Sequence, residues 1–378
     1  MARKALIEED QDFESAEDVI RTLQPDEPIL CISKNSLKDS AETFLELFPG
    51  LTLYAVKCAP HSLIIKSLSK LGINHFDTAS LEEIKLIKSI NPTAKCYFNH
   101  PIKKKKEIEL AFSQFGIRDF VIDSSNELDK IASIIDISQI TLQIRLNTKT
   151  GSTSYDFSNK FGMNTDEVVN LLKLLKGSKT KLALSFHVGS QCENPEAYKW
   201  ALSLCKKVIE ESEVNLEYLN IGGGFPGYYP QRIIPPLTVY FNLIKECSDF
   251  FKLPPLLCEP GRSLVYNSGT LITQVIGRKE DKLYLNDGLY GSMGEIDYAK
   301  INPEVRAISL KNRLTTDLQR YKIFGPTCDS YDALKYQFCL PKNIQEGDWI
   351  LLSDLGAYSI SLTSKFNGFT SDKAYLVY

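Results

Sequence analysis

The sequence is poor in the patterns that mark several common functions. Its 378 residues include only four histidines, at 61, 75, 100 and 187, and no two stand in an H-x-x-x-H spacing. The nine cysteines are odd in number, scattered, and contain no C-x-x-C pair. A zinc site and a disulfide frame therefore have little support, and reduced thiols in a cytoplasm are the expectation. No uninterrupted apolar segment approaches the ~20 residues of a membrane span. Met1-Ala2-Arg3-Lys4 leads into an acidic stretch rather than an apolar signal region, so secretion is not expected. The formal net charge of −3 gives no reason to expect nucleic acid or a membrane surface as partner. A short basic run, Lys103 to Lys106, opens an amphipathic helix pattern and reads as a solvated face.

What is present is the composition of a soluble globular protein, 43% hydrophobic and 24% charged. The length favours a large domain joined to a smaller one. From about residue 50 a short apolar run, a polar break and a helical pattern recur. The apolar runs are Leu51–Lys57, Asn74–Asp77, Lys95–Phe98, Asp119–Ile122, Thr141–Leu146, Lys181–Val188, Leu216–Ile221 and Pro255–Cys258. Ser62–Leu71, Lys104–Phe115, Thr165–Leu175, Pro195–Glu211 and Leu237–Phe250 carry apolar residues near a 3.6 period between them. This alternation has the size of a TIM (β/α)8 barrel, with a doubly wound open sheet as the alternative. After about residue 268 the segments turn short and β-rich: Gly269–Gly277, Lys282–Asn286, Tyr321–Phe324, Trp349–Leu352 and Lys373–Tyr378. Residues 26–33 read as a further strand of that sheet. The expected division is a barrel over 36–268 and an all-β domain from 1–35 and 269–378.

In such a barrel the chemistry gathers where the strands end at their C-termini. Those ends carry Lys57, Asp77, Asn99, Asp123, Arg145, His187 with Ser190, Gly222-Gly223-Gly224, and Glu259 with Arg262. Lys57 closes the apolar run Tyr54-Ala55-Val56-Lys57, and a lysine is seldom placed there without a partner or a task. A partly desolvated amine gives up its proton more easily and forms Schiff bases with aldehydes. A glycine triplet lets backbone N–H groups close around an anion, in a position where barrels commonly take phosphate. Arg262 adds a cation and Ser190 a hydroxyl. Pyridoxal phosphate, a phosphorylated aldehyde, satisfies both features. Glu259 would then protonate the pyridine nitrogen and make the ring an electron sink. His187 is either a satisfied core histidine or a ring stacked on the cofactor.

These residues lie in motifs that resemble one family. They are Tyr-Ala-Val-Lys-Cys (54–58), Phe-Asp-Thr-Ala-Ser (76–80), Lys-Phe-Gly (160–162), Ser-Phe-His-Val-Gly-Ser (185–190) and Ile-Gly-Gly-Gly-Phe-Pro-Gly (221–227). The series continues with Glu-Pro-Gly-Arg (259–262), Asn-Asp-Gly-x-Tyr-Gly-Ser (286–292), Gly-Pro-Thr-Cys-Asp (325–329), Gly-Ala-Tyr (356–358) and Phe-Asn-Gly-Phe (366–369). The ordered set resembles the ornithine/diaminopimelate/arginine decarboxylases of the alanine-racemase-like class, nearest the ornithine decarboxylase branch. The resemblance implies a homodimer whose active sites pair one subunit's barrel with the other's β-domain. Lys57 would carry the cofactor, His187 stack on its ring and Glu259 hold its nitrogen. Ser190, Gly223, Gly224, Arg262 and Tyr358 would bind the phosphate, and Asp77, Arg145 and Glu83 would form the network beneath. Cys328 from the partner would reprotonate the carbon, Asp329 would face the distal amine of the substrate, and Phe366 would line the pocket. The other eight cysteines are expected to be buried and inert.

Three positions depart from the family's pattern. The Tyr-Asp pair that grips the distal amine reads Tyr298-Ala299 here, Asn220 replaces an aspartate before the glycines, and Ala59-Pro60 replaces an asparagine. Losing one charge-assisted contact weakens recognition by about 1.5–3 kcal/mol. Asp297 or Glu295 would have to compensate, or the substrate differs. The expectation is decarboxylation of a basic L-amino acid, ornithine first and lysine next. Arginine, meso-diaminopimelate, a conjugated amino acid, and a catalytically silent binding homologue are the alternatives.

Overall fold

The computed structural model describes residues 12–148, 153–155, 159–230 and 232–378. The opening tetrapeptide lies outside the described residues.

The apolar runs of the alternating region form parallel strands, as continuous hydrophobic stretches covered on both faces do. Their order is Gly50–Thr52, Leu256–Cys258, Leu219–Asn220, Lys181–Ser185, Thr141–Arg145, Asp119–Ile122, Lys95–Phe98, His75–Thr78 and Tyr54–Ala55. The first and last of these are one stretch of chain, broken at Leu53, and this stretch closes the sheet into a barrel. Its first half pairs Gly50 with Leu256 and its second pairs Tyr54 with Phe76. At the break Leu53 N donates to the Cys258 carbonyl at 2.8 Å, and Ala55 N donates to that of Pro260 at 3.0 Å. The seam therefore keeps its backbone hydrogen bonds. Only glycine fits at position 50, where a Cβ would stand 2.3 Å from the Leu256 carbonyl oxygen.

The helices between the strands start where the sequence supplies caps. Ser80, Ser124 and Asn164 accept the N–H groups of Glu83, Glu127 and Glu167, and Asn164 with Glu167 completes a capping box. Behind the glycine triplet, Phe225 stacks on Tyr198 with ring centroids 5.0 Å apart and meets Phe44 and Phe241 edge-on. That block joins helices Lys34–Leu47, Glu196–Ser212 and Leu237–Phe251, and so fixes the loop that carries the glycines.

The second domain is a mostly antiparallel sheet in the order Val305–Ile308, Trp349–Leu352, Gly269–Lys279, Lys282–Leu285, Leu318–Phe324, Ala333–Pro341. Strand Ile29–Ser33 joins it, antiparallel to Gly269–Lys279 and parallel to Ala374–Val377. The expected TIM barrel with an all-β second domain that takes an N-terminal strand is the observed architecture.

Several local expectations need correction. Strand Lys181–Ser185 ends three residues early, because the chain leaves the sheet towards Gly189, whose φ is +103°. Strands Val305–Ile308 and Ala333–Pro341 went unread, since charged and polar residues break up their apolar positions. Lys103 is not on a solvated face. Its buried ammonium lies 3.1 Å from Glu127 and donates to the carbonyls of His100, Pro101 and Val121. Burial lowers this group to about 8 against the pull of Glu127. Cys339 is exposed, whereas the other cysteines expected to be inert are buried. Among the described residues no helix is long and apolar enough to cross a membrane.

Phe225→Ala removes the centre of the aromatic block and is expected to cost about 3–5 kcal/mol. Denaturant unfolding of the wild type and the variant measures it.

Candidate active site

The C-terminal ends of the barrel strands open into a cavity of about 310 Å³. Lys57, Asp77, Arg145 and His187 line it from the barrel floor, with Ser190 and Arg262 beside them. The β-domain adds Glu295, Tyr298, Tyr358 and Leu362. The lysine sits in a tight three-residue turn, Val56–Cys58. That turn is tied to the β-domain, because the Cys58 carbonyl accepts from Tyr358 N at 2.8 Å and from Ser361 Oγ at 3.2 Å.

Lys57 Nζ donates to Asp77 Oδ2 at 2.9 Å. Burial alone would lower the pKa of Lys57, but the carboxylates of Asp77 and Glu259 outweigh it and raise the pKa above the ordinary lysine value. The expectation of an easily deprotonated amine is thus reversed in the cofactor-free protein: Asp77 keeps it an ammonium. Glu83 accepts from Ala79 N at 2.6 Å close behind this pair.

Arg145 has its guanidinium carbon 5.3 Å from the Phe161 ring centre. Burial lowers its pKa, against the carboxylates of Glu259, Asp123 and Asp77. Phe161 is followed by Gly162, at φ +97°, whose N–H donates to Asp123. His187 accepts from Gly189 N through Nδ1 at 2.9 Å. Burial, with Arg145 and Lys57 nearby, holds its pKa well below the histidine range. The ring is therefore a neutral, flat surface with its proton on Nε2.

Glu259 Oε1 accepts from Asn220 Nδ2 at 2.5 Å and from Asn99 Nδ2 at 2.6 Å. Gln143 in turn donates to Asn99 at 2.7 Å. Burial raises Glu259 to about 7, helped by Asp77 and opposed by Lys57, Asn220 and Arg145. Glu259 stands behind Asn99 rather than on the cavity wall itself. The role of Gln143 was missed, although a glutamine amid the apolar run Thr-Leu-Gln-Ile-Arg was a usable signal.

The glycine loop is built for close approach. A Cβ on Gly223 would lie 2.6 Å from the Glu259 carbonyl oxygen and 3.2 Å from His187 Nε2, and Gly224 has φ +104°. Arg262 donates to the Tyr229 hydroxyl at 2.9 Å and to the Glu295 carboxylate, and lies over the Tyr358 ring. Its Nε is buried without a partner.

The family model for the pyridoxal binding domain of pyridoxal-dependent decarboxylases matches residues 34–266. The chain belongs to the pyridoxal-dependent decarboxylases. It is 33% identical to the ornithine decarboxylase of Schizosaccharomyces pombe over 85% of this chain and 77% of that one. It is 32% identical to antizyme inhibitor 2 of Xenopus laevis over 86% and 75%. Among solved structures it resembles the Paramecium bursaria Chlorella virus arginine decarboxylase bound to agmatine (TM-score 0.85, 28% identity, 96% of this chain and 99% of that one). The lysine/ornithine decarboxylase of Vibrio vulnificus complexed with putrescine is similar too (TM-score 0.83, 28%, 97% and 99%). The chain is an enzyme of the group that decarboxylates basic amino acids with pyridoxal phosphate.

The donor set fits that cofactor. Lys57 would supply the amine for its aldehyde and His187 an uncharged ring for its face. Arg262 Nε, buried without a partner, is an unsatisfied donor of the kind an anionic oxygen would satisfy. Of the predicted residues, Lys57, Asp77, Arg145, His187, Ser190, Arg262 and Tyr358 meet in the cavity, with Gly223, Gly224 and Glu259 packed against it.

The remaining predicted residues stand apart. Cys328 is exposed and bonds Asn367 Oδ1 through its N–H and its thiol. Asp329 accepts from the Tyr290 hydroxyl at 2.6 Å, and Phe366 packs on the Tyr290 ring. The three form one cluster on the β-domain surface, outside the cavity. Asp297 faces away and accepts from Lys335 N at 3.2 Å, with the Lys335 ammonium 3.6 Å from it, so it does not replace the missing aspartate in this arrangement.

The raised pKa of Glu259 fixes a sign for stability. A carboxyl that binds its proton more tightly when folded stabilises below the unfolded value, 4.5, and loses that contribution as pH rises towards about 7. Without cofactor, melting temperature is expected to fall by several degrees between pH 5 and pH 8. In Glu259→Gln that fall is smaller; differential scanning fluorimetry across the range measures both.

Proposed function

We propose that the protein decarboxylates a basic L-amino acid to a primary amine and CO2, with L-ornithine the preferred substrate and L-lysine the next. The observation that carries this reading is the convergence of Lys57, Asp77, His187 and Arg262 on one cavity floor, with Glu259 held as an acceptor behind it. The bound cofactor supplies the electron sink for the carbon that loses CO2.

The chain's own residues do the rest. Lys57 anchors the aldehyde, and Asp77 takes up the charge of its amine and orients it. His187 presents a neutral face. Glu259, fixed by the amides of Asn99 and Asn220, offers its carboxylate to the ring nitrogen. Arg262, Ser190, Tyr358 and the backbone at Gly223 and Gly224 hold the phosphate.

A homodimer completes the site. Cys328, Asp329 and Phe366 lie together on an exposed face, which suits residues that serve the cavity of a second copy. There Cys328 delivers the proton to the carbon, Asp329 receives the distal amine and Phe366 walls the pocket. A thiol suits this task because it titrates nearer neutrality than a carboxylate. A reducing cytoplasm suits a chain of free cysteines with one placed for proton transfer.

The similarity to an antizyme inhibitor marks the second reading, a catalytically silent binding protein. The complete set of Lys57, His187, Glu259, Arg262 and Cys328 argues against it.

Purified, cofactor-loaded protein is incubated with L-ornithine, L-lysine, L-arginine and meso-diaminopimelate, and amines are followed by mass spectrometry. Ornithine is expected to turn over fastest; a faster reaction with arginine overturns the substrate assignment, and no amine from any substrate overturns the free amino-acid reading. Lys57→Ala and Cys328→Ala are each expected to be inactive. Mixing them is expected to restore roughly a quarter of wild-type activity, because heterodimers keep one intact site. No recovery on mixing overturns the shared site.

A further inference from the structure

The carboxylate of Glu295 lies where the reading above needs an anion of a different kind. Glu295 and Arg262 are 2% and 4% exposed, and their ion pair is closed from solvent while both residues line the cavity. The pair has Tyr229, Tyr358 and Cys58 around it, and Lys57, which also faces Tyr358 and Cys58, is bonded to Asp77. A phosphate brought to Arg262 would thus share one guanidinium with a buried carboxylate. In a low-dielectric pocket such an arrangement leaves negative charge uncompensated. The phosphate would also have Ser190 and the glycine backbone to hold it, whereas Glu295 has Arg262 as its ion-pair partner. Of the two anions, Glu295 is the one that must give way.

The cavity wall beside Glu295 has a matching deficit. Ala299 is a buried methyl group where the family carries its substrate-binding aspartate. Asp297 is engaged by Lys335 on the outside of the short helix Gly294–Tyr298. The acidic residues on the cavity wall, among those described, are Asp77 and Glu295, and Asp77 is bonded to Lys57. Glu295 is therefore the carboxylate this chain's own cavity wall can offer a substrate's distal cation beside Asp329 of a second copy, one turn of helix before Ala299 and on the same helix as the cavity-lining Tyr298.

Resting on the decarboxylase reading, we propose that Glu295 is an exchangeable carboxylate: it occupies Arg262 in the cofactor-free protein, yields Arg262 to the cofactor's phosphate, and then pairs with the distal ammonium or guanidinium of the substrate. The enzyme thereby recovers the acidic contact absent at Ala299 from a different position, and cofactor binding is what frees it.

Cofactor-free wild type and Glu295→Gln are titrated with pyridoxal phosphate and with pyridoxal, which lacks the phosphate, by visible absorbance. The variant is expected to bind pyridoxal phosphate about tenfold more tightly and pyridoxal equally. The loaded variant is then expected to bind putrescine or cadaverine about tenfold more weakly, with KM for the amino acid raised and kcat little changed. Unchanged or weaker pyridoxal phosphate binding by the variant overturns the exchange, and unchanged diamine affinity overturns the substrate contact. Glu295→Ala carries the same expectations if the glutamine variant does not fold. A crystal structure of the loaded wild type decides without any variant, since Glu295 still paired with Arg262 would overturn the proposal. Failure of the wild type itself to bind pyridoxal phosphate would instead bring down the decarboxylase reading.

Discussion

The charges at the rim of the barrel have to neutralise one another, because the carboxylates among them are buried: Asp77 is 3% exposed, although the open cavity leaves the Lys57 side chain 44% exposed. Lys57 is paired with Asp77, Arg145 feels Asp77, Asp123 and Glu259, and Glu259 is held by two amide donors rather than by a cation of its own. Burying such groups costs several kcal/mol each unless partners are supplied, so each residue constrains the next. Asn220 acquires a meaning in this light. An aspartate there would put a second carboxylate against Glu259 Oε1, whereas the amide donates to it and accepts from Gly222 N. The departure from the family's pattern trades a charge for a donor while still fixing the first glycine of the loop.

The two domains share the task of building this layer. Gly356 lets the β-domain backbone close on the end of the barrel, since a Cβ there would stand 1.8 Å from the Val265 carbonyl oxygen. Tyr358, at φ +59°, then reaches the Cys58 carbonyl, next to the lysine. A tyrosine in that conformation is strained on its own, and the surrounding contacts hold it. The wall opposite the barrel floor is thus set by the same few residues that set the lysine turn.

The parts of this arrangement with a strong local signature were legible in the sequence. Parallel strands announce themselves as apolar runs, and a polar residue that ends such a run is conspicuous, which is why Lys57, Asp77, Arg145 and Glu259 stood out. Strand Ala333–Pro341 carries alternating buried and exposed positions diluted by lysine, tyrosine and glutamine, and its pairing with Leu318–Phe324 supplies what its sequence does not. Lys103 looked like one of four equal lysines. Its burial depends on Glu127, more than twenty residues away, and on carbonyls that face inward only once the barrel exists. The same holds for Asp297 and Glu295, two positions apart on a short helix. One turns to Lys335 and the other to Arg262, and no spacing rule distinguishes them.

The strand Ile29–Ser33 has a consequence for how the molecule is made. It emerges from the ribosome before any barrel strand, yet its partners are Gly269–Ile272 and Ala374–Val377, at the other end of the chain. The barrel's strands lie between these points and can assemble progressively during synthesis, while this early strand has to wait with both edges unpaired. Pairings of such separation are slow to close and leave an edge exposed meanwhile. Residues Ala374–Val377 therefore complete the sheet late in synthesis, and a chain cut short before residue 374 would present an open edge beside an otherwise finished barrel.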